Sequence, residues 1–571
     1  ENSLDGGSET AQILTNDFAD ITSKDTSYYR SYLGSQYSIN EANHYGYNGT
    51  STFHSLYNYD AAQLARYSHI TSNSTYATEI YGGSYYSTSW AAYYGNKRFG
   101  FDQALGMKYY AIRRDPYSIK EWNNYADNVP FDSELVSGER NSSDYLIYRN
   151  PAVVSDDNDP NTTLIGHAVN SSLLYQAGTS SFHNQDAFYT GTGYMTASTD
   201  QEIIRNESLY VQGAIVKNED VETLTNAGFT IQDKAPSYSS FSDFKAVDYS
   251  GRKFVTTYMS YTLDKGPGAF LEDPTLVEST SAMTSGSYDA DYDKVVYYPK
   301  SGFGNAFNTD ANGAYFLMAY PGKNTCIFMI GDTPDGKTNQ LLCYEYDMIQ
   351  AGNSYNYNYY THRNGNGTAE NALYGFYCRG KVRYIVFCAK SSDYDVNPLT
   401  QRRPATLPSS IRLYLLERSD YDKQVAQVKT DALTNGRHWT DNFTCESNYS
   451  TKRLVVTSLA YDVGWHVLSK DANGQQKELP TFKLDGGLVG FVAPEGKTTY
   501  HIYFQTKYLK EGALLAMAGF GMYVLFEGIV FLRELKEERQ KLGLKIVRRK
   551  FDWKNFKAPE ETSDQAKPNG P

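Results

Sequence analysis

The chain has 571 residues, too many for a single core, and length alone suggests about three or four domains. With 40% hydrophobic residues it is not a disordered chain, and 53 Tyr against 27 Phe and 5 Trp, with 21% charged residues, read as a polar, strand-rich surface protein. The formal charge of −12 is uneven: residues 512 onward carry 11 Lys and Arg against 8 Asp and Glu, or +3, leaving −15 on the first 511, and such an acidic body argues against nucleic acid as a partner.

Ala11, Leu14, Phe18 and Ile21 recur at near-helical spacing and predict a short amphipathic helix over 8–23. Residues 28–150 mix short strands and helices, with a compact apolar strand at 108–112, and the run SDDNDPN at 155–161 reads as a loop. From about 200 to 415 the pattern alternates, with strands expected at 208–212, 253–258, 314–319, 326–330 and 382–388 and turn signals at Asn312-Gly313 and Asp335-Gly336. Many short strands of this kind predict a sandwich or jelly roll. A helix is expected over 419–433, with Ser419 as its N-cap and a stop at Asn435-Gly436. The next module is compact: strands within 454–467, a turn at 471–474, a strand at 487–493, a turn at Pro494-Glu495-Gly496 and a strand at 499–504.

Residues 512–532 carry one charge, Glu527, in 21 positions. At about 1.5 Å per residue that helix is about 30 Å long, the thickness of a hydrocarbon core. Arg533, Lys536, Arg539, Lys541, Lys545, Arg548, Arg549 and Lys550 follow it, whereas Lys507 and Lys510 precede it, offset in part by Glu511. The positive-inside rule therefore puts the tail in the cytoplasm and residues 1–511 outside. The helix is expected to run on to Leu542, with a Glu537–Lys541 pair and Gly543 as its stop. Export of the body needs an upstream signal, and the start Glu1-Asn2-Ser3-Leu4-Asp5 shows none, so the expectation is a processed or truncated piece.

The five cysteines, Cys326, Cys343, Cys378, Cys388 and Cys445, form no CxxC pair, so zinc is not indicated. Pairing within 326–388 and buried free thiols both remain open. No HExxH or GxSxG sequence is present. Asp289, Asp291 and Asp293 resemble a calcium loop, but Lys294 and Lys300 stand where Gly and Glu are required; a solvated acidic turn is the better reading, with a calcium site of a non-EF kind left open. His44 and His54 have no nucleophile beside them, and Gly191-Thr192-Gly193 is too short to cradle a phosphate.

Asp462 and Trp465 are the candidate binding residues. The functional reading is a sugar-stacking or lipid-headgroup contact. The structural reading, which we favour, is an aspartate that holds a tight turn and a ring that fills a small core. Glu527 is an intramembrane acid that either snorkels to the interface or faces partner helices. No catalytic residue and no metal ligand is assigned.

The C-terminal pattern resembles the end of the YfhO family of bacterial multi-pass membrane proteins. Its marks are Tyr461-Asp462-x-Gly464-Trp465, the Gly490-Phe491 strand, the turn ending at Gly496, a strand with His501 and then a membrane helix. Upstream, Asp25–Arg30 looks like the family's strand after a short helix, 45–53 like its glycine-containing segment, 105–110 like its "LgvKYy" strand, and Tyr148-Arg149-Asn150-Pro151 like its "eNp" turn. The resemblance covers 8–151 and 454–540, with one departure at Lys507, where the family often has Pro. It implies a GT-C type glycosyltransferase that moves sugar from a lipid-linked donor to a cell-envelope polymer such as teichoic acid. It also implies that catalysis lies in an N-terminal membrane bundle missing from this chain, so no catalytic residue carries over. No cofactor is expected in this chain; a divalent cation stays open for the whole protein. The implied partners are the bilayer, that bundle and the envelope glycopolymer. The alternative is a non-catalytic, membrane-anchored surface protein that binds carbohydrate or a protein partner.

The fold class expected is an α+β N-terminal region, then all-β sandwich or jelly-roll-like domains, then a single transmembrane α-helix. The domains would be a mixed α/β extracytoplasmic region at 1–200, a β-sandwich at 201–415, a short helix with a small β module at 416–511, the transmembrane helix at 512–532 and a basic cytoplasmic tail at 533–571.

Overall fold

The computed structural model describes residues 19–33 apart from 22, 97–113, 127–139, 145–176, 207–233, 311–320, 372–380, 412–439, 441–506 and 508–544, with the backbone of further strands between 51 and 389. The chain divides into two units, Glu1–Phe504 and Gln505–Pro571. Among the described residues the first unit is mostly β-sheet with few helices, and the second is a single long apolar helix.

The first sheet has the order Arg30–Leu33, Met107–Arg113, Tyr145–Arg149, Glu134–Ser137. Arg30–Leu33 runs parallel to Met107–Arg113, and the other pairings are antiparallel. Both faces are covered. Tyr109, Ala111 and Ile147 pack with Ile21 and Tyr29, while Tyr110, Ile112 and Leu146 belong to a second cluster. Burial on both faces explains why the strand reads as a continuous apolar run and not as an alternation. Of the helix expected at 8–23, the described part is helical at 19–21 and continues at 23–24. The Asn150-Pro151 turn is held by Asn150 Oδ1, which accepts from Ala152 N at 3.0 Å.

The strand expected at 208–212 is instead helical, 207–212, and Gly213 N bonds Leu209 O at 2.9 Å. Leu209, Tyr210 and Val211 are all buried. So short an apolar run has no period that separates a buried strand from a buried helical turn. The strand comes just after, at Ala214–Val216.

Two antiparallel sheets follow, as the alternating pattern predicts. One has the order Lys245–Val247, Arg412–Glu417, Ala314–Tyr320, Ala372–Cys378. The other has six strands and includes Tyr249–Thr256, Cys326–Gly331 and Tyr384–Ala389. The Asn312-Gly313 turn is present: Gly313 has φ +109, and a Cβ there would sit 2.0 Å from Cys378 O. Asp335-Gly336, Asp289–Asp293, His44, His54 and Gly191–Gly193 lie outside the described residues. Cys378 and Cys445 are free, buried thiols, and burial pushes the Cys445 thiol up to about 12.

The helix expected from Ser419 spans Arg418–Thr430 with Glu417 at its N-cap. Arg412–Glu417 runs directly into it, and Arg418 N bonds Gly313 O at 3.2 Å, so the sheet sets the entry and not the Ser419 side chain. Asn435 and Gly436 do not stop the helix; they sit within the strand Thr434–Trp439, where Asn435 takes φ +54.

The remaining strands make two sheets. The five-stranded sheet has the order Thr434–Trp439, Asn442–Tyr449, Gly496–Phe504, Trp465–Asp471, Gln476–Leu479. The six-stranded sheet combines Arg453–Ala460, Leu488–Ala493 and Thr481–Leu484 with Gly166–Ala168, Ala214–Val216 and Leu174–Gln176. Phe443, Val467 and Ile502 of the first pack with Val455 and Phe491 of the second in one buried cluster. The expected turns are present: Asp471 Oδ1 accepts from Asn473 N at 2.9 Å and from Gln475 N at 2.8 Å, and Gly496 has φ +87.

In the second unit the helix spans Leu509–Lys541, is exposed over nearly its whole length, and is long and apolar enough to cross a membrane. It ends as expected, with Leu542 at the C-cap and Gly543 at φ +65. Glu537 takes Arg533 as its partner at 3.7 Å, where the sequence suggested Lys541.

Candidate functional site

The sequence places Asp462 and Trp465 at the corner between Arg453–Ala460 and Trp465–Asp471, and the structure brings them together. Asp462 Oδ1 accepts from Gly464 N at 2.9 Å, and Asp462 O accepts from Trp465 N at 3.2 Å. The turn is therefore an Asx turn that satisfies two backbone donors locally. The half-buried Trp465 ring donates Nε1–H to Ala460 O at 2.9 Å. Its centroid lies 5.8 Å from Phe443 and 5.3 Å from Phe504, the latter edge-on at 65°. Its polar atom is used, and one side of the ring closes the sandwich core, as an amphipathic aromatic at a core edge does.

A second set of rings stands on the other face of the same sheet; of these, only His501 lies in a motif read from the sequence. His466 and Tyr503 stack at 5.1 Å and 14°, and His501 and Tyr503 stack at 5.1 Å and 27°. The signal available in the sequence was the alternation His501-Ile502-Tyr503, whose central residue is buried.

Two of the polar clusters among the described residues are deeply buried. In the first, Lys108 Nζ reaches Asp25 Oδ2 at 2.5 Å, Thr162 O at 2.9 Å and Thr163 Oγ1 at 3.1 Å. Tyr109 OH donates to Asp25 Oδ2 at 2.7 Å, and Ser27 N donates to Asp25 Oδ1 at 3.0 Å. Burial lowers the Lys108 ammonium pKa, and the Asp25 carboxylate works against that shift. Burial first, and Asp25 second, raises the Tyr109 phenol. In the second cluster Arg98 pairs with Glu207, both side chains at 0% exposure, and Glu207 Oε2 accepts from Gly100 N at 2.9 Å. A Cβ on Gly100 would meet Glu207 O at 2.2 Å, so only glycine lets the chain approach. Asp102 Oδ2 accepts from Tyr110 OH at 2.7 Å, and burial pushes its carboxyl up to about 7 against that bond. These groups are consumed by one another; they tie the chain together and offer nothing to a solvent-borne ligand.

Among the described residues no group of three or more His, Cys, Asp or Glu is placed to hold a metal ion. Glu527 belongs to the other unit and lies exposed on its helix.

Residues 399–516 match the family described as Bacterial membrane protein YfhO. Over these residues the chain is YfhO-like. The match takes in the Asp462–Trp465 corner, the five-stranded sheet and the start of the apolar helix. It begins upstream of the resemblance read at 454–540 and does not include 8–151. No curated protein matches the chain. Among solved structures, b-glucuronidase from Ruminococcus gnavus shows 11% identity, covers 45% of this chain and 41% of its own, and has a TM-score of 0.17. The arabinofuranosyltransferase AftD from Mycobacteria shows 8% identity, covers 86% of this chain and 63% of its own, and has a TM-score of 0.28. The chain thus spans less than two thirds of either structure, and likenesses at these scores carry no inference for its chemistry.

Proposed function

We propose that this YfhO-like membrane protein acts as a GT-C type glycosyltransferase, moving sugar from a lipid-linked donor to a cell-envelope polymer such as teichoic acid. The observation that carries the reading is the family match across 399–516, which runs from the last β module into a helix able to cross a bilayer. In this reading catalysis belongs to a membrane bundle outside this sequence, and the β-rich unit caps that bundle or grips the acceptor.

The same reading sets residues 1–511 outside and the tail inside, since the basic residues from Arg533 to Lys550 follow the helix. Glu527 then faces helices of the bundle, because an acid in hydrocarbon costs on the order of 3 kcal/mol. The test uses membranes that hold the full-length protein. Label should pass from a lipid-linked sugar to the envelope polymer, and protease added to intact protoplasts should digest the body and spare the tail. Absence of transfer, with the protein present and correctly oriented, would leave the alternative of a non-catalytic surface protein that binds carbohydrate or a protein partner. Protection of the body would overturn the topology. Replacing Glu527 by Leu should reduce recovery of the bundle when the last helix is pulled down; equal recovery would mean that the carboxylate snorkels.

A further inference from the structure

The outer face of the five-stranded sheet carries a row that the fold does not require. In register across four strands stand Trp439, Asn442, Tyr503 and His466. The row beside it holds Arg437, Thr444, His501 and Leu468, with Glu478 opposite Leu468. The inward neighbours Phe443, Val467 and Ile502 are buried and make the core, so polar residues of any kind would serve outside. Instead there are rings. Tyr503 is stacked between His466 and His501, and Trp439 leaves 80% of its surface in solvent.

The polar edges of these rings are oriented. Glu478 Oε1 holds His466 Nδ1 at 2.6 Å, and Asn442 Oδ1 holds His501 Nε2 at 3.2 Å. Each contact fixes a ring plane and leaves the ring's other nitrogen, or the rest of the amide, for a further bond. Charge on the face is nearly balanced: Arg437, Lys470 and Lys497 share it with Glu446 and Glu478, and Lys497 pairs with Glu446 at 3.7 Å. A nearly balanced face does not select a polyanion or an anionic headgroup. With Leu468 as the aliphatic member of both rows, it lacks the apolar centre of a protein interface.

From the outermost ring to His466 is three strand spacings, about 14 Å, long enough for several sugar rings laid across the strands. We propose that this face is a docking surface for a neutral glycan chain, with Trp439 as the stacking platform and the His466–Tyr503–His501 ladder as a rail of hydrogen-bonding edges. It rests on the glycan-polymer reading for its biological occupant and narrows what this face grips to the uncharged, hydroxyl-bearing sugar rings of such a polymer, not a charged polymer backbone.

The detergent-solubilised full chain is run in native gels cast with barley β-glucan, starch, galactan or dextran, and with dextran sulfate as the anionic control. At least one neutral glycan should retard it. Trp439→Ala and Tyr503→Ala should each weaken that retardation fivefold or more, Trp439→Phe less, and Asn473→Ala in the distant turn not at all. Melting temperatures of the variants report folding independently. No retardation by any neutral glycan, retardation by dextran sulfate alone, or equal retardation of the parent and both Ala variants with unchanged melting overturns the proposal. Sugar transfer by membranes is scored separately. Binding without transfer removes the transferase reading and leaves this surface standing; transfer without binding removes the surface alone.

Discussion

Lys108 and Asp25, at the N-terminal sheet, and His466, Tyr503 and His501, at the last sheet, are all polar side chains on strands or beside them. The first pair is sealed: side-chain exposures are 0% and 1%, and Lys108 Nζ alone contacts Asp25, Thr162 and Thr163. The second group is stacked at the surface and makes one anchoring contact per histidine. The difference separates polar residues that specify a fold from polar residues left over for recognition. A buried charge holds its place only when its neighbours neutralise it, so each of its bonds is already committed. A surface ring costs little to present, so its presence in a row calls for another explanation.

The sharpest way to break this comparison is to leave one charge of the sealed pair alone. Lys108→Met strands the Asp25 carboxylate in the interior and should destabilise the chain by about 3–5 kcal/mol. Adding Asp25→Leu should recover much of the loss, because the remaining cost is repacking and not an orphan charge. Thermal melting of the single and double variants checks this. A double variant no better than Lys108→Met would mean that Tyr109 and Ser27 depend on Asp25 more than Lys108 does.

Asp485 sharpens the same contrast through pH. It is buried, takes φ +52, and accepts from Ile215 N through Oδ1 at 2.8 Å, while Oδ2 has no partner. Burial pushes its carboxyl from 3.8 up to about 7, against that one bond. The folded state therefore holds a proton that the unfolded chain has lost. Its contribution is most favourable below the unfolded value near 4 and is lost as pH rises through about 7, by roughly 4 kcal/mol at most. Asp485→Asn keeps the bond to Ile215 and the left-handed backbone, which Asn tolerates. Its melting temperature should fall less between pH 4 and pH 8 than the parent's. Parallel curves for the two proteins would show that the carboxyl titrates normally in the fold.

Much of this architecture could be read from residue pattern. The turns at Asn312-Gly313 and Asp471–Gly474 and the apolar helix each rest on local chemistry, and each is where the pattern put it. Local chemistry fails at two kinds of place. The run Leu209-Tyr210-Val211 is too short to show a period, and it is helical. Long-range pairing is the other: Val455 stands opposite Ala168, and Leu484 opposite Val216, partners that nothing in either segment announces. The same holds for the sites. Asp462 and Trp465 were visible because a turn motif is contiguous, whereas the outer-face rings come from 439, 466, 501 and 503 and meet only when the strands are registered.

The Asp462–Trp465 corner should give the smallest effects, because its contacts are local and half-open to solvent. Asp462→Ala removes the acceptor for Gly464 N and should cost about 1 kcal/mol. Trp465→Phe keeps a ring against Phe443 and Phe504 but deletes the Nε1–H bond to Ala460 O, again about 1 kcal/mol. If the corner is structural, the two changes should lower the melting temperature by similar small amounts and leave glycan-gel retardation untouched. The comparison turns on that second measurement. Loss of retardation by Trp465→Phe with an unchanged melting temperature would make the corner a recognition surface, on the opposite side of the sheet from the ring ladder, and would show that a satisfied polar atom is not enough to mark a residue as structural.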